Sequence, residues 1–543
     1  MTQSVSVQPT ITKSLLCDEI ARIILAETDL SRENVNKIKI EVCKKYKVTN
    51  IPKNSDIIAR LDAESKAVLL DSLRTKPTRS LSGITVIAVM TKPYPCPPQA
   101  KCIYCPGGPR TSTPKSYVGG QPAVMRAAQY DYDPFQQVTS RMRQLSRIGH
   151  DISKSELIIL GGTFLGYPKS YQKQFVKSSL DAMNEVNSRD LDEAKKIAET
   201  SRVRNVGLTI ETRPDFCREE HVDLMLSYGT TRVELGVQTL YDDVYQKIGR
   251  GHTVADVISA FRIAKDSSFK IVAHMMPGLP GSTPERDLEG FKLLFRDPRF
   301  MPDMIKIYPT LVIESSLLYN WYKDGKYIPY DTPTVVRLLS EVKRIVPRWV
   351  RIMRIQRNIP AYEIDSGVTE GNVRELIKEE MSRKGYSCNC IRCREVGLKS
   401  RMKNLGDLRA IYDNVSLLRE DYDASQGREI FLSYEDKSKG ILIGFLRLRK
   451  PSNLSHRSEI SGNNTCLVRE LHVYGSVTPL GINDSKTWQH RGFGESLMAE
   501  AERIAGKELH AKKMVVISAL GTKEYYKMLG YKPQGPYMVK AIN

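Results

Sequence analysis

No apolar run in this 543-residue chain approaches the length of about eighteen residues that carries a helix across a bilayer, so no membrane partner is expected. The opening residues, MTQSVSVQPTITKSLLCDEI, lack the charged-then-apolar layout of a secretory signal, which makes a cytoplasmic protein the expectation. Internal repeats and long low-complexity tracts are missing as well, which argues against a solenoid or a disordered scaffold. Cysteine is scarce: ten residues, six of them in two tight clusters. That distribution excludes a disulfide framework and points to metal ligands in a reducing compartment. Acidic residues fall short of basic ones, 62 against 82, leaving a net charge of +20 and a pI near 9.3. An excess of that size favours a polyanionic partner, most simply nucleic acid.

What is present suits two to four domains, because one core cannot serve a chain this long. Residues 1–80 combine basic stretches (KIKIEVCKKYKVTNIPK, RTKPTRS) with helix-like ones (LLCDEIARIILAE, SKAVLLDSLR). They read as a small basic helical region that holds most of the charge for RNA. From residue 84 short β-branched runs alternate with helical segments: 84–89, 156–163, 206–212, 232–239, 270–281 and 303–310. That alternation predicts parallel strands joined by crossovers, a full or partial α/β barrel over 81–385. A linker at 386–400 carries the second cysteine cluster. Residues 401–543 then read as a separate α+β domain of strand-like runs, with a long helix after WQHRGFG.

The first cluster, CPPQAKCIYC, brings Cys96, Cys102 and Cys105 together and leaves out a fourth thiol. Three thiolates can hold three irons of a four-iron cluster and keep the fourth iron open to an exogenous ligand. A zinc site with a distant fourth ligand, or plain thiols, are the alternatives from spacing alone. The loop follows the first predicted strand, and the next ends in Gly161-Gly162-Thr163. This resembles the radical S-adenosylmethionine superfamily. The resemblance implies a [4Fe-4S] cluster on the three cysteines and backbone contacts from 161–163 to the methionine moiety. Glu234 and Gln238 in ELGVQT are further candidates for S-adenosylmethionine. The cysteine spacing and the absence of Glu after the glycine pair mark a subgroup.

In QHRGFGESLM, glycines open a helix after a strand, and backbone N–H groups at such a helix start cradle a pyrophosphate. With VRELHVYG before it and Tyr525-Tyr526 after it, the segment is similar to the GNAT acetyltransferases. That similarity assigns acetyl-CoA to Glu470, Leu471, His472 and Val473, to Gln489, Gly492, Phe493, Gly494 and Glu495, and puts Tyr526 near the thioester sulfur.

The pairing of those two domains with YCPGGP, SYVGGQPAVMRAAQYDYDPF, GGTF, IETRPD, HRGFGESLM and GPYMVK resembles the catalytic subunit of Elongator over almost the whole chain, in an archaeal-like form. The resemblance implies a tRNA-modifying enzyme, a carboxymethyluridine synthase that places a 5-carboxymethyl group on wobble uridine using acetyl-CoA and a deoxyadenosyl radical. It places Lys154 on acetyl-CoA and names Elongator-like subunits or a second copy as partners. CNCIRC, with Cys388, Cys390 and Cys393, reads as a zinc knot whose fourth ligand the sequence does not identify. Tyr94 and Tyr104 are candidates for stacking on anticodon bases. Two other readings stay open: a protein-lysine acetyltransferase with Glu470 or His472 as base and a structural iron–sulfur part, and a non-catalytic tRNA-binding scaffold.

Overall fold

The computed structural model describes residues 11–402, 414–462, 464–475 and 492–542. It divides into two compact units, one of Met1–Ser80 with Ser140–Ile152, the other of Leu81–Thr139 with Ser153–Asn543.

The first unit is helical. Helices Lys13–Leu25, Arg32–Lys45 and Ala63–Leu73 start where Thr12, Ser31 and Asp62 accept a hydrogen bond from a backbone N–H of the first turn. Leu16, Ile20, Ile24, Val35, Ile38, Val42, Leu69 and Leu73 bury one face of each helix in a common core. Its charge corrects the expectation. Residues 1–80 hold 14 Lys and Arg against 10 Asp and Glu, a net of only +4 out of +20. The basic excess is sharper further on: between residues 81 and 130 there are five basic residues and no acidic one.

The second unit carries two sheets. Strands β1 (Thr85–Met90), β2 (Lys154–Leu160), β3 (Arg204–Thr212), β4 (Arg232–Gln238), β5 (Lys270–Met275), β6 (Met304–Ile307) and β7 (Arg351–Ile355) pair in sequence order. Every pair is parallel. The sheet is an open, partial barrel with β1 and β7 as its edges. β1 to β6 fall on the six predicted runs; β7, in WVRIMRIQR, was not anticipated, because alternating arginines hide its apolar positions.

The second sheet holds β8 (Ser416–Ala424), β9 (Gly427–Asp436), β10 (Ile441–Lys450), β11 (Thr465–Val473), β12 (Lys513–Val516), β13 (Lys532–Gln534) and β14 (Tyr537–Ala541). Its order is β13-β14-β12-β11-β10-β9-β8, antiparallel except for β11 with β12. The helix Phe493–Lys507 packs Leu497, Met498, Ala501 and Ile504 into the core of this sheet.

Three arginines join the sheets. Arg469 reaches Asp303 and Glu429 at 2.5 and 3.0 Å, Arg449 reaches Asp266 and Glu429 at 2.6 and 3.0 Å, and Arg447 donates to Trp349 O, just before β7, at 2.8 Å. All three arginines are fully buried. Among the described residues no helix is long and apolar enough to cross a membrane.

Candidate active site

The carboxyl end of the barrel gathers the first group of predicted residues. The Cys96–Cys105 loop is tied down by its backbone: Lys101 N–H donates to Gly249 O at 2.9 Å and Ile103 N–H to Ile248 O at 3.0 Å. Two donors reach the thiols. Arg250 Nη1 lies 3.4 Å from Cys102 Sγ, and Ser116 N–H lies 3.3 Å from Cys105 Sγ. Burial pushes the Cys96 thiol up to about 11. Burial also raises Cys102, but the Arg250 guanidinium outweighs it and holds that thiol below its ordinary range. Arg250 is itself anchored on Gly236 O at the end of β4. Donors of this kind offset the negative charge of a thiolate-bound cluster, so the residues present fit a [4Fe-4S] group.

Gly161 and Gly162 follow β2 with φ of +143° and +88°, a conformation that needs glycine. A Cβ at Gly161 would overlap the Thr91 hydroxyl. Gln238 has φ +74°, and its buried Oε1 has no protein partner, so a polar ligand could engage it. Glu234 is more deeply committed than the sequence suggested. His274 Nε2 joins its Oε2 at 2.8 Å, and Lys306 donates to the same oxygen. Burial raises this carboxyl, yet Lys306 and His274 outweigh it and the pKa falls below the ordinary range. Its Oε1 is left without a protein partner. Glu211, Glu234 and His274 bring donor atoms within 4.8 Å of one another, with Tyr117 Oη donating to Glu211 Oε2 at 2.8 Å. Sequence reasoning missed Tyr117, Glu211, Arg250, His274 and Lys306. For Glu211, His274 and Lys306 the available signal was a polar residue inside a parallel strand that otherwise reads as apolar; Tyr117 and Arg250 lie in loops and offered none.

Of the two aromatic candidates, Tyr104 is buried and cannot present a ring to RNA. Tyr94 is half-buried and stacks on Tyr167 at 4.5 Å. Tyr362, Leu317 and Ile328 are exposed instead.

The amino end of the barrel gathers the second group. The ladder between β11 and β12 covers only residues 465–468 and 513–516, while β11 runs on along β10 to Val473. Where the two strands part there is a cavity of about 200 Å³. Glu470, Leu471, His472, Val473 and Tyr526 line it, together with Lys154, Glu156, Arg232 and Lys270 from the barrel strands. Lys154 is buried at the start of β2. Burial raises the Tyr526 hydroxyl, keeping it a neutral donor. Burial would raise Glu470, but Arg447 and Lys270 hold it below its ordinary range. Burial lowers His472, whose Nε2 is 2.9 Å from Ser82 O.

Gly492 caps the helix Phe493–Lys507 with φ +81°. Ser496 N–H donates the first bond of this helix to Gly492 O, so the amides of Phe493, Gly494 and Glu495 stand at its positive end. A Cβ on Gly494 would come 3.0 Å from Tyr525 Oη. Gln489 lies outside the described residues.

Cys388, Cys390 and Cys393 draw their Sγ atoms within 4.8 Å of one another. Tetrahedral zinc with bonds of about 2.3 Å separates its thiolates by about 3.8 Å, so this set fits zinc. Ile391 N–H donates to Val350 O, and Glu395 binds Arg351 at 2.5 Å, which ties the segment to β7.

The comparisons with known proteins agree with this layout. The Radical SAM superfamily profile matches residues 98–294, the Radical SAM C-terminal domain 302–383, and the ELP3 N-terminal domain 13–81. The chain is 47% identical over 520 residues to the tRNA uridine(34) acetyltransferase of Methanocaldococcus jannaschii, covering 94% of this chain and 95% of that one. It is 46% identical to Elongator complex protein 3 of Schizosaccharomyces pombe, covering 97% and 98%. The chain belongs to the Elongator complex protein 3 family. A solved structure of the family, archaeal Methanocaldococcus infernus Elp3 with an N-terminal deletion, superposes with a TM-score of 0.75. That match has 45% identity and covers 85% of this chain and 100% of that one. Archaeal and fungal members are thus matched almost equally well.

Proposed function

We propose that this chain is a cytoplasmic tRNA-modifying enzyme that installs a 5-carboxymethyl group on wobble uridine, taking the two carbons from acetyl-CoA. The observation that carries the reading is the presence, in one family member, of a three-thiol loop at the carboxyl end of a partial barrel and an acyl-CoA-like cleft at its amino end. Two archaeal relatives are named tRNA uridine(34) acetyltransferase, which supports tRNA uridine 34 as the substrate.

Cys96, Cys102 and Cys105 would hold a [4Fe-4S] cluster, which with S-adenosylmethionine supplies a deoxyadenosyl radical able to take hydrogen from a methyl group. Arg250 would keep the Cys102 thiolate charged. Gly161, Gly162, Thr163 and Gln238 would receive the methionine and ribose parts, with Glu234 held ionised by Lys306 behind them. At the other end, the 470–473 backbone would receive pantetheine, the 492–495 turn the pyrophosphate, and Tyr526 would donate toward the thioester. Lys154 would meet its acetyl end. Cys388, Cys390 and Cys393 would hold a structural zinc. Lys92, Lys101 and Arg110, all exposed in the acid-free stretch, supply charge for tRNA phosphates. A second copy or Elongator-like subunits would complete the assembly.

The lysine-acetyltransferase reading is weaker. Glu470 is ion-paired with Arg447, and the Nε2 of His472 is occupied by Ser82, so neither is a well-placed base for an incoming amine. Mass spectrometry of tRNA nucleosides after anaerobic incubation with acetyl-CoA, S-adenosylmethionine and reductant tests the proposal. It requires 5-carboxymethyluridine; acetylated protein with unmodified tRNA would refute it.

A further inference from the structure

Arg250 joins the thiol loop to the turn that carries Gln238. It follows the short helix Asp242–Lys247, and its N–H donates to Tyr245 O at 2.9 Å. Its buried guanidinium makes a fork: Nη1 donates to Cys102 Sγ at 3.4 Å, and Nη2 donates to Gly236 O at 2.5 Å. Gly236 lies where β4 leaves its ladders. The register with β5 shifts between Leu235 and Gln238, and the pairing with β3 ends at Leu235. A Cβ on Gly236 would come 2.6 Å from Arg250 Nη2 and 2.9 Å from Gln238 Nε2, so glycine leaves the room the guanidinium fills. Tyr245 Oη donates to Val237 O at 2.7 Å, and Met276 N–H to Gln238 O at 2.8 Å. The rest of the turn is thereby fixed, with Gln238 Oε1 left for a ligand.

Among the described residues Arg250 is the one cation that donates to a thiol of this loop. Its neighbours do not replace it. Arg213 is paired with Asp215 at 2.9 Å and donates to Arg250 O at 2.9 Å. Burial lowers His252 to about 4, so that ring is neutral at ordinary pH. The positive charge beside Cys102 therefore rests on Arg250. A full charge 3.4 Å from a thiolate is felt far more strongly in a buried site than in water. One-electron reduction adds negative charge to a thiolate-bound cluster, and cluster potentials follow net charge and hydrogen bonds to the sulfurs. A fixed guanidinium there favours the reduced form.

We propose that Arg250 is a positioning residue with two separable effects. Its charge sets how readily a cluster on Cys96, Cys102 and Cys105 is reduced, and its fork holds the Gly236–Gln238 turn where S-adenosylmethionine binds. This rests on the function proposed above. The electron comes from an external reductant such as dithionite; no bond forms or breaks and no proton moves. Two substitutions divide the effects. Arg250→Gln removes the charge. Arg250→Lys keeps the charge near Cys102, but one ammonium on a single stem cannot span Cys102 Sγ and Gly236 O as the guanidinium does.

The test uses full-length, cluster-loaded protein without tRNA or acetyl-CoA. A redox titration followed by electron paramagnetic resonance gives the midpoint potential, and equilibrium binding gives the S-adenosylmethionine affinity. Arg250→Gln should be about tenfold harder to reduce, a midpoint about 59 mV more negative. Arg250→Lys should keep its reduction equilibrium within about twofold of wild type while binding S-adenosylmethionine about fivefold more weakly. At matched iron content, equal midpoints for wild type and Arg250→Gln overturn the proposal, as does wild-type S-adenosylmethionine affinity in Arg250→Lys. A second measurement needs no variant. Wild-type protein carrying arginine labelled with 15N in the guanidinium should show 15N hyperfine coupling to the reduced cluster in pulsed paramagnetic resonance. Absence of that coupling overturns the contact, and this spectrum decides the matter if the variants lose iron. Wild-type protein that holds no iron after reconstitution fails the function proposed above instead.

Discussion

Lys154 and Gly161 bracket strand β2, one at its amino end facing the cleft beside β11, the other at its carboxyl end against Thr91. This single strand spans the distance between the residues assigned to acetyl-CoA and those assigned to S-adenosylmethionine. Changes at its two ends should therefore separate two functions.

Gly161→Ala should abolish S-adenosylmethionine binding at the carboxyl end. The added methyl collides with the Thr91 hydroxyl, and φ of +143° is unfavourable for alanine. Equilibrium binding should weaken by more than tenfold while iron content and acetyl-CoA affinity stay at wild-type levels. Unchanged S-adenosylmethionine affinity would remove the glycine pair from the site.

The two cysteine clusters should lose different metals. Cys102→Ser should give protein without iron, and Cys388→Ser protein without zinc but with iron. Elemental analysis of both variants decides this. Zinc retained in Cys388→Ser and lost in Cys102→Ser would reverse the assignments.

Arg469 should be a stability residue. Replacing it by Met leaves Asp303 and Glu429 buried with one fewer cation, a loss of about 3–5 kcal/mol for a broken buried pair. Denaturant unfolding should show a shift of that order in the larger unit. A shift under about 1 kcal/mol would mean that Arg447 and Lys265 suffice to compensate both carboxylates.

Charge for tRNA should be spread beyond the first eighty residues, which carry a net of only +4. Replacing Lys92, Lys101 and Arg110 together by Ala should lower the salt dependence of tRNA binding by about two logarithmic units per decade, at roughly 0.7 per phosphate contact on single strands. A slope identical to wild type would move the interface elsewhere.

Much of this was legible in the sequence, for identifiable reasons. β1 to β6 were visible because strands buried on both faces read as apolar β-branched runs. β7 was not, because Arg351 and Arg354 interrupt its short apolar run; Arg351 pairs with Glu395. β8 escaped for the same reason, since SLLREDYDA alternates charge with exposed and half-buried positions. In the sites, thiols, glycines and the residues of β11 carry local patterns and could be named. Arg250, Lys270, His274 and Lys306 carry none; each becomes part of a site only when parallel strands bring it beside a partner distant in sequence. The basic N-terminal region was overread, because its lysine-rich stretches stand out while its ten acidic residues are dispersed.

The most direct test of the central claim follows the methyl hydrogens of acetyl-CoA. With trideuterated acetyl-CoA, tRNA, S-adenosylmethionine and reductant, deoxyadenosine should gain one deuterium, and the carboxymethyl carbon on tRNA should retain two before exchange. Unlabelled deoxyadenosine, together with an intact trideuterated acetyl group on an amine of tRNA or protein, would contradict the radical route and leave ordinary acetyl transfer as the activity.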